Sequence, residues 1–268
     1  MTTRKILRRA FKRAIVLGPI AYFYWPVVAV FFVTGTYDVL RHHTKDKALI
    51  FRQYFFESGT LTWLFSPLNT LIDILSLPFI NKQIYKLEDL PKKHQADIQT
   101  ILDEVPKKQL NETLEKLEAD TERSMLFYKW YGYNVDNSYP VPLFHRKFKT
   151  IKTIGISSFN PHASTSQHFG WLRAGIRVLI NIDEDVQGEA YLEVNGQTHS
   201  WKDDGPLFIF DDTVLHQSFN KSGKRRSNLF IDIARPTPFP FVMDFIFWLF
   251  GLISTSFKAF RNLSNWKV

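Results

Sequence analysis

Four short apolar runs lie within about sixty residues near the C-terminal half of the chain, and their crowding constrains the fold more than any other feature. They are Ile176 to Asn181, Ala190 to Val194, Pro206 to Phe210 and Asn228 to Ile233. The first two alternate in part between apolar and polar residues, as half-buried strands do. Asn195-Gly196 follows the second run directly. Both residue types accept positive φ, which a type I′ hairpin turn requires. Strands this short and this closely spaced, broken by turn residues, predict an antiparallel sandwich or jelly roll from Tyr128 to Pro236.

Upstream the pattern changes period. From Leu87 to Met125 the chain is polar, with Ile98, Ile101 and Leu102 on one face of a helix that ends before Pro106. A second, charged stretch from Leu110 to about Arg123 reads as a solvated helix.

The ends of the chain are apolar and basic. Arg4-Lys5, Arg8-Arg9 and Lys12-Arg13 precede a charge-free run from Ala14 to Tyr37, long enough to span a bilayer. The run exceeds a usual signal-peptide core and lacks a small-residue cleavage site, which disfavours a cleaved leader. Pro19 and Pro26 interrupt it, leaving a kinked span or a hairpin that dips in and returns. Arg41, Lys45 and Lys47 make the far flank basic too, which favours the hairpin with both ends cytoplasmic. A second stretch, Leu61 to Ile80, carries Pro67, Asn69, Asp73 and Pro78. It reads as an interfacial or returning segment, with a buried helix as the alternative. Phe239 to Phe257 is aromatic-rich but broken by Asp244, and Lys258, Arg261 and Lys267 follow. An interfacial amphipathic helix with a basic rim fits it.

Composition agrees with a membrane surface. The chain of 268 residues carries 25 Phe, 10 Tyr and 7 Trp with a formal charge of +8. The basic residues cluster beside apolar segments and form no aromatic-basic strand motif, so nucleic acid is not an expected partner. There is no cysteine, which excludes disulfides and thiolate metal sites. The expected organisation is a membrane-associated segment over 1–82, a helical lead-in over 83–127, the β domain over 128–238 and the interfacial segment over 239–268.

Two histidines stand out within the β region. His168 lies in Gln167-His168-Phe169-Gly170, and His216 follows the strand ending Phe210-Asp211-Asp212. Imidazoles on neighbouring strands can share a divalent metal, and non-haem iron oxygenases add a carboxylate often found two residues after the first histidine. Here that position is Gly170. Asp211-Asp212 could supply a third ligand, although orienting a strand end or His216 is the favoured role. Arg226 opens the next strand, where a guanidinium suits a carboxylate. Arg225 should face solvent, and His162 and His199 read as loop or surface histidines.

The run from Gly155 to Pro236 resembles the aspartyl/asparaginyl β-hydroxylase family, including its bacterial lipid-hydroxylase branch. The resemblance rests on Ser157 through Pro161, His168, Leu172-Arg173, Phe210-Asp211-Asp212, His216, Arg226 and Ile231-Asp232-Ile233 with Pro236. It extends more loosely through Tyr139-Pro140 and the helix near Asp97 to Glu104. It implies a mainly β, double-stranded β-helix (jelly-roll) dioxygenase with flanking helices, using Fe(II) with 2-oxoglutarate and O2 as co-substrates. His168 and His216 would be the metal ligands and Arg226 the partner of the distal 2-oxoglutarate carboxylate. Ser157 and Arg173 match positions that help hold the co-substrate. Some members hold iron with two histidines only, Gly taking the carboxylate's place. That Gly also leaves space for halide, though the family argues against halogenation.

Among the substrates that the resemblance implies, apolar segments on both sides of the domain favour a membrane lipid of the lipid A or ornithine-lipid type, hydroxylated on an acyl chain. The basic flanks would contact anionic headgroups, each charge adding roughly 1 kcal/mol near the surface. Because 2-oxoglutarate is cytosolic, the expected location is the bacterial inner membrane with the catalytic domain facing the cytoplasm. The competing readings are a membrane-tethered hydroxylase of aspartyl or asparaginyl residues in a protein, and a non-catalytic membrane-anchored jelly-roll binding module.

Overall fold

The computed structural model describes residues 15, 18, 22, 24–44, 46–79, 82–116, 122–183, 189–256 and 266–267. Four helices come first: α1 (Trp25–Arg41), α2 (Lys47–Phe56), α3 (Thr60–Leu64) and α4 (Ser66–Leu75). Strand β1 (Ile84–Tyr85) leads into α5 (Lys92–Glu104) and α6 (Lys107–Lys116). The β region follows as β2 (Arg123–Trp130), β3 (Tyr133–Asn134), the short α7 (Pro142–His145), β4 (Ile151–Phe159), β5 (Gly175–Asn181), β6 (Ala190–Val194), β7 (Gln197–Ser200), β8 (Leu207–Phe210), β9 (His216–Asn220) and β10 (Arg226–Ala234). Helix α8 (Pro240–Ser256) and strand β11 (Trp266–Lys267) complete the described chain.

The strands form two sheets, and every pairing between them is antiparallel. The larger runs β1-β8-β5-β10-β4-β2-β11 with β3 beside β2, and the smaller runs β7-β6-β9. Two isolated bridges, Ser164 to Phe219 and His168 to His216, add the loop after β4 to the edge of the small sheet. The fold is mainly β and jelly-roll-like, with helices on its outside, as the strand spacing predicts. The turn residues Asn195 and Gly196 have φ of 51° and 78°, as a type I′ turn needs.

Alternation along β10 shows how sequence becomes two cores. Leu229, Ile231 and Ile233 pack with Ile98 and Ile101 of α5 and with Leu110 and Leu114 of α6. The intervening Phe230 faces the other way, into a cluster with Phe127, Leu179, Leu192 and Phe210 between the sheets. Successive strand side chains point to opposite faces, so one strand serves both layers. Each fully buried Ile, Leu or Phe contributes roughly 1.5–3 kcal/mol by leaving water.

The helical expectations need two corrections. Helix α6 ends at Lys116, and Arg123 opens β2 rather than closing a helix. Nor is α6 wholly solvated, because Leu110, Thr113 and Leu114 are buried against the large sheet. Helix α5 matches its expected end before Pro106 and its apolar face.

No helix among the described residues is long and apolar enough to cross a membrane. The basic residues from Arg4 to Arg13, with Lys45, Lys258 and Arg261, lie outside the described residues, as does most of 14–23. Pro26 sits in the first turn of α1, where a missing N–H has no consequence, so it begins that helix instead of kinking it. The stretch from Leu61 folds as α3 and α4, in contact with α1. Helix α8 packs Met243, Ile246 and Phe247 against Ile72 of α4 and Leu172. On the other side of these helices Trp25, Val33, Leu64, Leu71, Ile74, Phe241, Phe245 and Trp248 are exposed.

Candidate active site

The bridge between His168 and His216 defines the site. Each backbone N–H donates to the other's carbonyl, at 3.1 and 3.0 Å. In such a pair the side chains lie on the same face, and the two ring centroids are 4.2 Å apart. Each Nδ1 is fixed from behind: that of His168 lies 2.7 Å from the Ser166 carbonyl, and that of His216 lies 2.9 Å from the Val214 carbonyl. A carbonyl only accepts, so Nδ1 carries the proton and Nε2 of each neutral ring keeps its lone pair. Burial lowers the pKa of both rings, and in His216 the neighbouring His168 lowers it further. Two neutral imidazoles with pinned Nδ1 atoms are suited to bind a divalent metal through Nε2.

The rings open into a cavity of about 60 Å³ between the sheets. Its walls include Ser157, Asn228, Arg123 and Arg177, with Phe210 and Phe230 as apolar lining. Register explains the polar side: Ser157 of β4 is paired with Asn228 of β10, and Phe159 with Arg226. Arg226 is 2 % exposed, and its Nε, Nη1 and Nη2 have no hydrogen-bond partner among the described residues. Its guanidinium lies over the Phe159 ring, 4.4 Å from the centroid. Burial pushes its pKa down to about 9, with Asp183 opposing the shift. A buried guanidinium with no hydrogen-bonded counter-ion is unfavourable by itself and well suited to a carboxylate ligand. Asn228 Oδ1 is likewise buried without a partner. Arg226 does not itself line the cavity, but its guanidinium lies over Phe159, which does, so two Nε2 lone pairs with a guanidinium lacking hydrogen bonds close by fit a divalent ion with a dicarboxylate beside it.

Arg173 is placed differently from the resemblance's expectation. It is fully buried, but Nη2 binds Asp38 at 2.6 Å and Nη1 binds Asp73 at 2.7 Å. Its Nε donates to Thr213 Oγ1 at 3.3 Å. These contacts occupy the guanidinium, and Arg173 does not line the cavity shared by Ser157, His168 and His216. It instead ties α1 and α4 to the loop before His216. Asp211 belongs to the same network, with Arg41 at 2.8 Å and Arg235 at 2.7 Å. Burial alone would raise the Asp211 pKa, but Arg235, Arg41 and Arg173 hold it well below the usual carboxylate range. Asp211 is thus committed to structure and not to a metal.

Asp212 occupies the position beside Gly170. A Cβ on Gly170 would lie 2.5 Å from Asp212 Cγ, and the Gly170 N–H donates to the Asp212 carbonyl at 2.6 Å. The Asp212 carboxyl pairs with Arg177 at 3.1 Å, and burial raises its pKa to about 7. No group of three or more His, Cys, Asp or Glu poised to hold a metal occurs among the described residues. His199 is buried and stacks on Phe208 with centroids 4.4 Å apart, so it is a core ring rather than a surface one. His162 is exposed, and Arg225 is partly exposed beside Glu115.

Sequence reasoning passed over Arg123, Arg177 and Asn228. Arg177 is held by Asp232 and Asp212, whose charges outweigh burial and raise its pKa. A signal for Asn228 was present in its two-residue offset from Arg226, which puts both on one face of β10.

Residues 95–236 match the family described as aspartyl/asparaginyl beta-hydroxylase, more than half of the chain, and the chain belongs to that family of hydroxylases. No curated protein matches the chain. Among solved structures it is similar to a salicylate 1,2-dioxygenase from Pseudaminobacter salicylatoxidans, at 15% identity and a TM-score of 0.30, over 55% of this chain and 35% of that one. It is similar to a cupin domain of Schizosaccharomyces pombe Cnp3, at 16% identity and a TM-score of 0.27, over 33% and 59%. A predicted oxalate decarboxylase from Thermotoga maritima stands at 15% identity and 0.25, over 31% and 67%.

Proposed function

We propose that this protein is a membrane-bound Fe(II)- and 2-oxoglutarate-dependent dioxygenase that hydroxylates an acyl chain of a membrane lipid, of the lipid A or ornithine-lipid type. The observation that carries the oxygenase reading is Arg226, a buried guanidinium with no hydrogen-bond partner, lying over Phe159 at the wall of the cavity that holds two free imidazole Nε2 atoms. His168 and His216 would hold the metal, whose chemistry when loaded is oxygen activation coupled to decarboxylation of 2-oxoglutarate. Arg226 would bind the far carboxylate in a bidentate contact, and Ser157 and Asn228 would offer hydrogen bonds beside it. Phe210 and Phe230 keep the interior dry, which strengthens each of these contacts.

The lipid substrate is supported by apolar residues on the outer side of the helices. α1, α3, α4 and α8 pack together and each leaves large apolar side chains exposed, Trp25, Phe241, Phe245 and Trp248 among them. Exposed apolar side chains on helices that pack together suit a lipid boundary, and Trp and Phe are favoured there. The basic flanks suit anionic headgroups, and a cytosolic co-substrate suits a catalytic domain on the cytoplasmic side of the bacterial inner membrane. The four-part organisation from the sequence is retained in this reading, with 1–82 and 239–268 as its membrane-associated parts. A second reading, hydroxylation of aspartyl or asparaginyl residues in a protein, is favoured by the family's own description.

Mass spectrometry of membrane lipids tests the proposal. Cells lacking the gene, cells expressing it, and cells expressing His168→Ala with His216→Ala would be compared. A lipid one oxygen heavier, present only with intact histidines, is the expected result. Its absence under aerobic, iron-replete growth with expression verified would overturn the lipid reading and direct the assay to peptide substrates.

A further inference from the structure

A second cavity touches His216 from the side of the N-terminal helices. It measures about 130 Å³ and is lined by Thr44, Ile50, Gln167, Glu193, Asn195 and Gln217, among others. Its chemistry is the reverse of the inner cavity. The inner walls carry the cations Arg123 and Arg177, whereas no Lys or Arg lines the second cavity and Glu193 is its charged residue. Glu193 is half-buried, and Lys221, the cation that feels its charge together with that of Glu189, does not line this cavity. Asn195 is 9 % exposed, its Nδ2 donates to Gln83 Oε1, and its Oδ1 is buried with no partner. Gln217 has its Nε2 committed to the Thr165 carbonyl at 2.6 Å, which leaves its Oε1 as an acceptor.

A buried acceptor without a donor is unfavourable until something donates to it. Here such an acceptor stands with a carboxylate and a further amide oxygen at the flank of a candidate metal ligand. We infer that this cavity is a substrate subsite for a hydrogen-bond-donating cation, specifically a protonated primary amine on the substrate's polar portion. The inference rests on the proposed lipid hydroxylase reading and deepens it by naming the headgroup chemistry. The amine would bind between Glu193 and Asn195 on one side of His216, while the inner cavity takes the anionic co-substrate on the other. The opposite signs of the two cavities would keep the ligands from exchanging places.

Binding of three probes of equal chain length to the full-length protein in neutral detergent tests this, read by ligand-observed NMR. Hexylammonium is expected to bind about tenfold more tightly than hexan-1-ol, equivalent to roughly 1.4 kcal/mol, and hexanoate more weakly than either at this cavity. Glu193→Gln should abolish the preference for the amine. Asn195→Gly, which keeps the positive φ of the turn, should weaken it. Equal binding of hexylammonium and hexan-1-ol, or a preference that survives Glu193→Gln, would overturn the inference. Lipid mass spectrometry of the same variants separates the two proposals. If His168→Ala removes the oxygenated lipid while Glu193→Gln leaves its headgroup class and yield unchanged, the subsite fails and the hydroxylase stands. If no strain makes an oxygenated lipid while hexylammonium preference depends on Glu193, the lipid reading fails and the amine site stands.

Discussion

Gly170 and Asp212 exclude a larger side chain from each other's space: a Cβ on Gly170 would meet the Asp212 carboxyl at 2.5–2.6 Å. The position where a carboxylate ligand would follow His168 is therefore closed by a carboxylate from another loop, which is bound to Arg177. Gly170→Asp is expected to destabilise the fold by about 1–3 kcal/mol through overpacking and to leave metal affinity no higher. Adding Asp212→Gly should recover part of that loss, a coupling of about 0.5–3 kcal/mol. Chemical denaturation of the four members of the cycle measures it, and additivity would contradict the contact.

Arg226→Met exchanges a buried cation that makes no hydrogen bond for an apolar side chain of similar length. The ligand-free protein should become more stable, by about 1–4 kcal/mol on the precedent of buried charges replaced by apolar groups. The same variant should lose the stabilisation that 2-oxoglutarate gives the native protein, about 2.7 kcal/mol at a hundred times its Kd. Thermal melts with and without 2-oxoglutarate, in metal-loaded protein, read both effects together.

The buried ion network predicts a different signature for Arg173. Asp38, Asp73 and Asp211 face Arg41, Arg173 and Arg235, with side chains at most 8 % exposed. Arg173→Met leaves Asp38 and Asp73 short of a cation and should cost about 3–5 kcal/mol. Because the guanidinium is fully engaged by Asp38, Asp73 and Thr213, 2-oxoglutarate affinity of the surviving folded fraction should stay within a few-fold of native. A selective loss of 2-oxoglutarate binding would assign Arg173 a co-substrate role instead.

Acid should weaken the fold through its buried neutral histidines. Burial lowers His42 to about 3 and His94 to about 4, from 6.5. Below pH 6.5 the unfolded chain takes up protons that the native rings refuse, so this stability is complete above 6.5 and falls with pH toward the native pKa values. Asp212, raised to about 7, acts in the opposite sense between pH 7 and 3.8 and offsets part of the loss. His94→Gln should give a shallower stability profile below pH 6.5, by up to about 1.4 kcal/mol per pH unit. Urea midpoints from pH 7.5 to 5 provide the comparison, and parallel profiles would refute it.

The exposed apolar face predicts lipid binding without a spanning helix. Phe241, Phe245 and Trp248 are half or more exposed on α8. Replacing all three with Ser should leave the urea midpoint nearly unchanged and lower partitioning into anionic vesicles by at least about tenfold, since each large apolar side chain contributes roughly 1.5–3 kcal/mol on burial. Vesicle flotation of native and triple-variant protein decides this, and equal flotation would remove α8 from the lipid contact.

Strands with one polar face were legible from sequence, as β5, β6 and the Asn195-Gly196 turn show. Strand β4 was not, because Thr153 to Phe159 is buried on both faces and its sequence shows no clean alternation. Strand β2 was hidden by the charged helix before it, whose polar pattern gives no sign of where it stops. The histidine pair could be picked out because both rings sit on strand-like segments near a basic strand start. Arg173 and Asp211 could not be assigned, since their partners Asp38, Asp73 and Arg41 lie a hundred or more residues away in sequence. In sequence Asn195 is a turn residue, and only packing makes it a buried acceptor.

The network of three aspartates and three arginines also bears on how this protein can be divided. Trimming the chain back to residue 83, to obtain a water-soluble β portion for crystallisation, would discard Asp38, Asp73 and Arg41 together. Arg173 and Arg235 would then share Asp211 alone, one positive charge in excess at the base of the loop that carries His216. A truncation designed for solubility would need Arg173 changed to an uncharged residue in the same step.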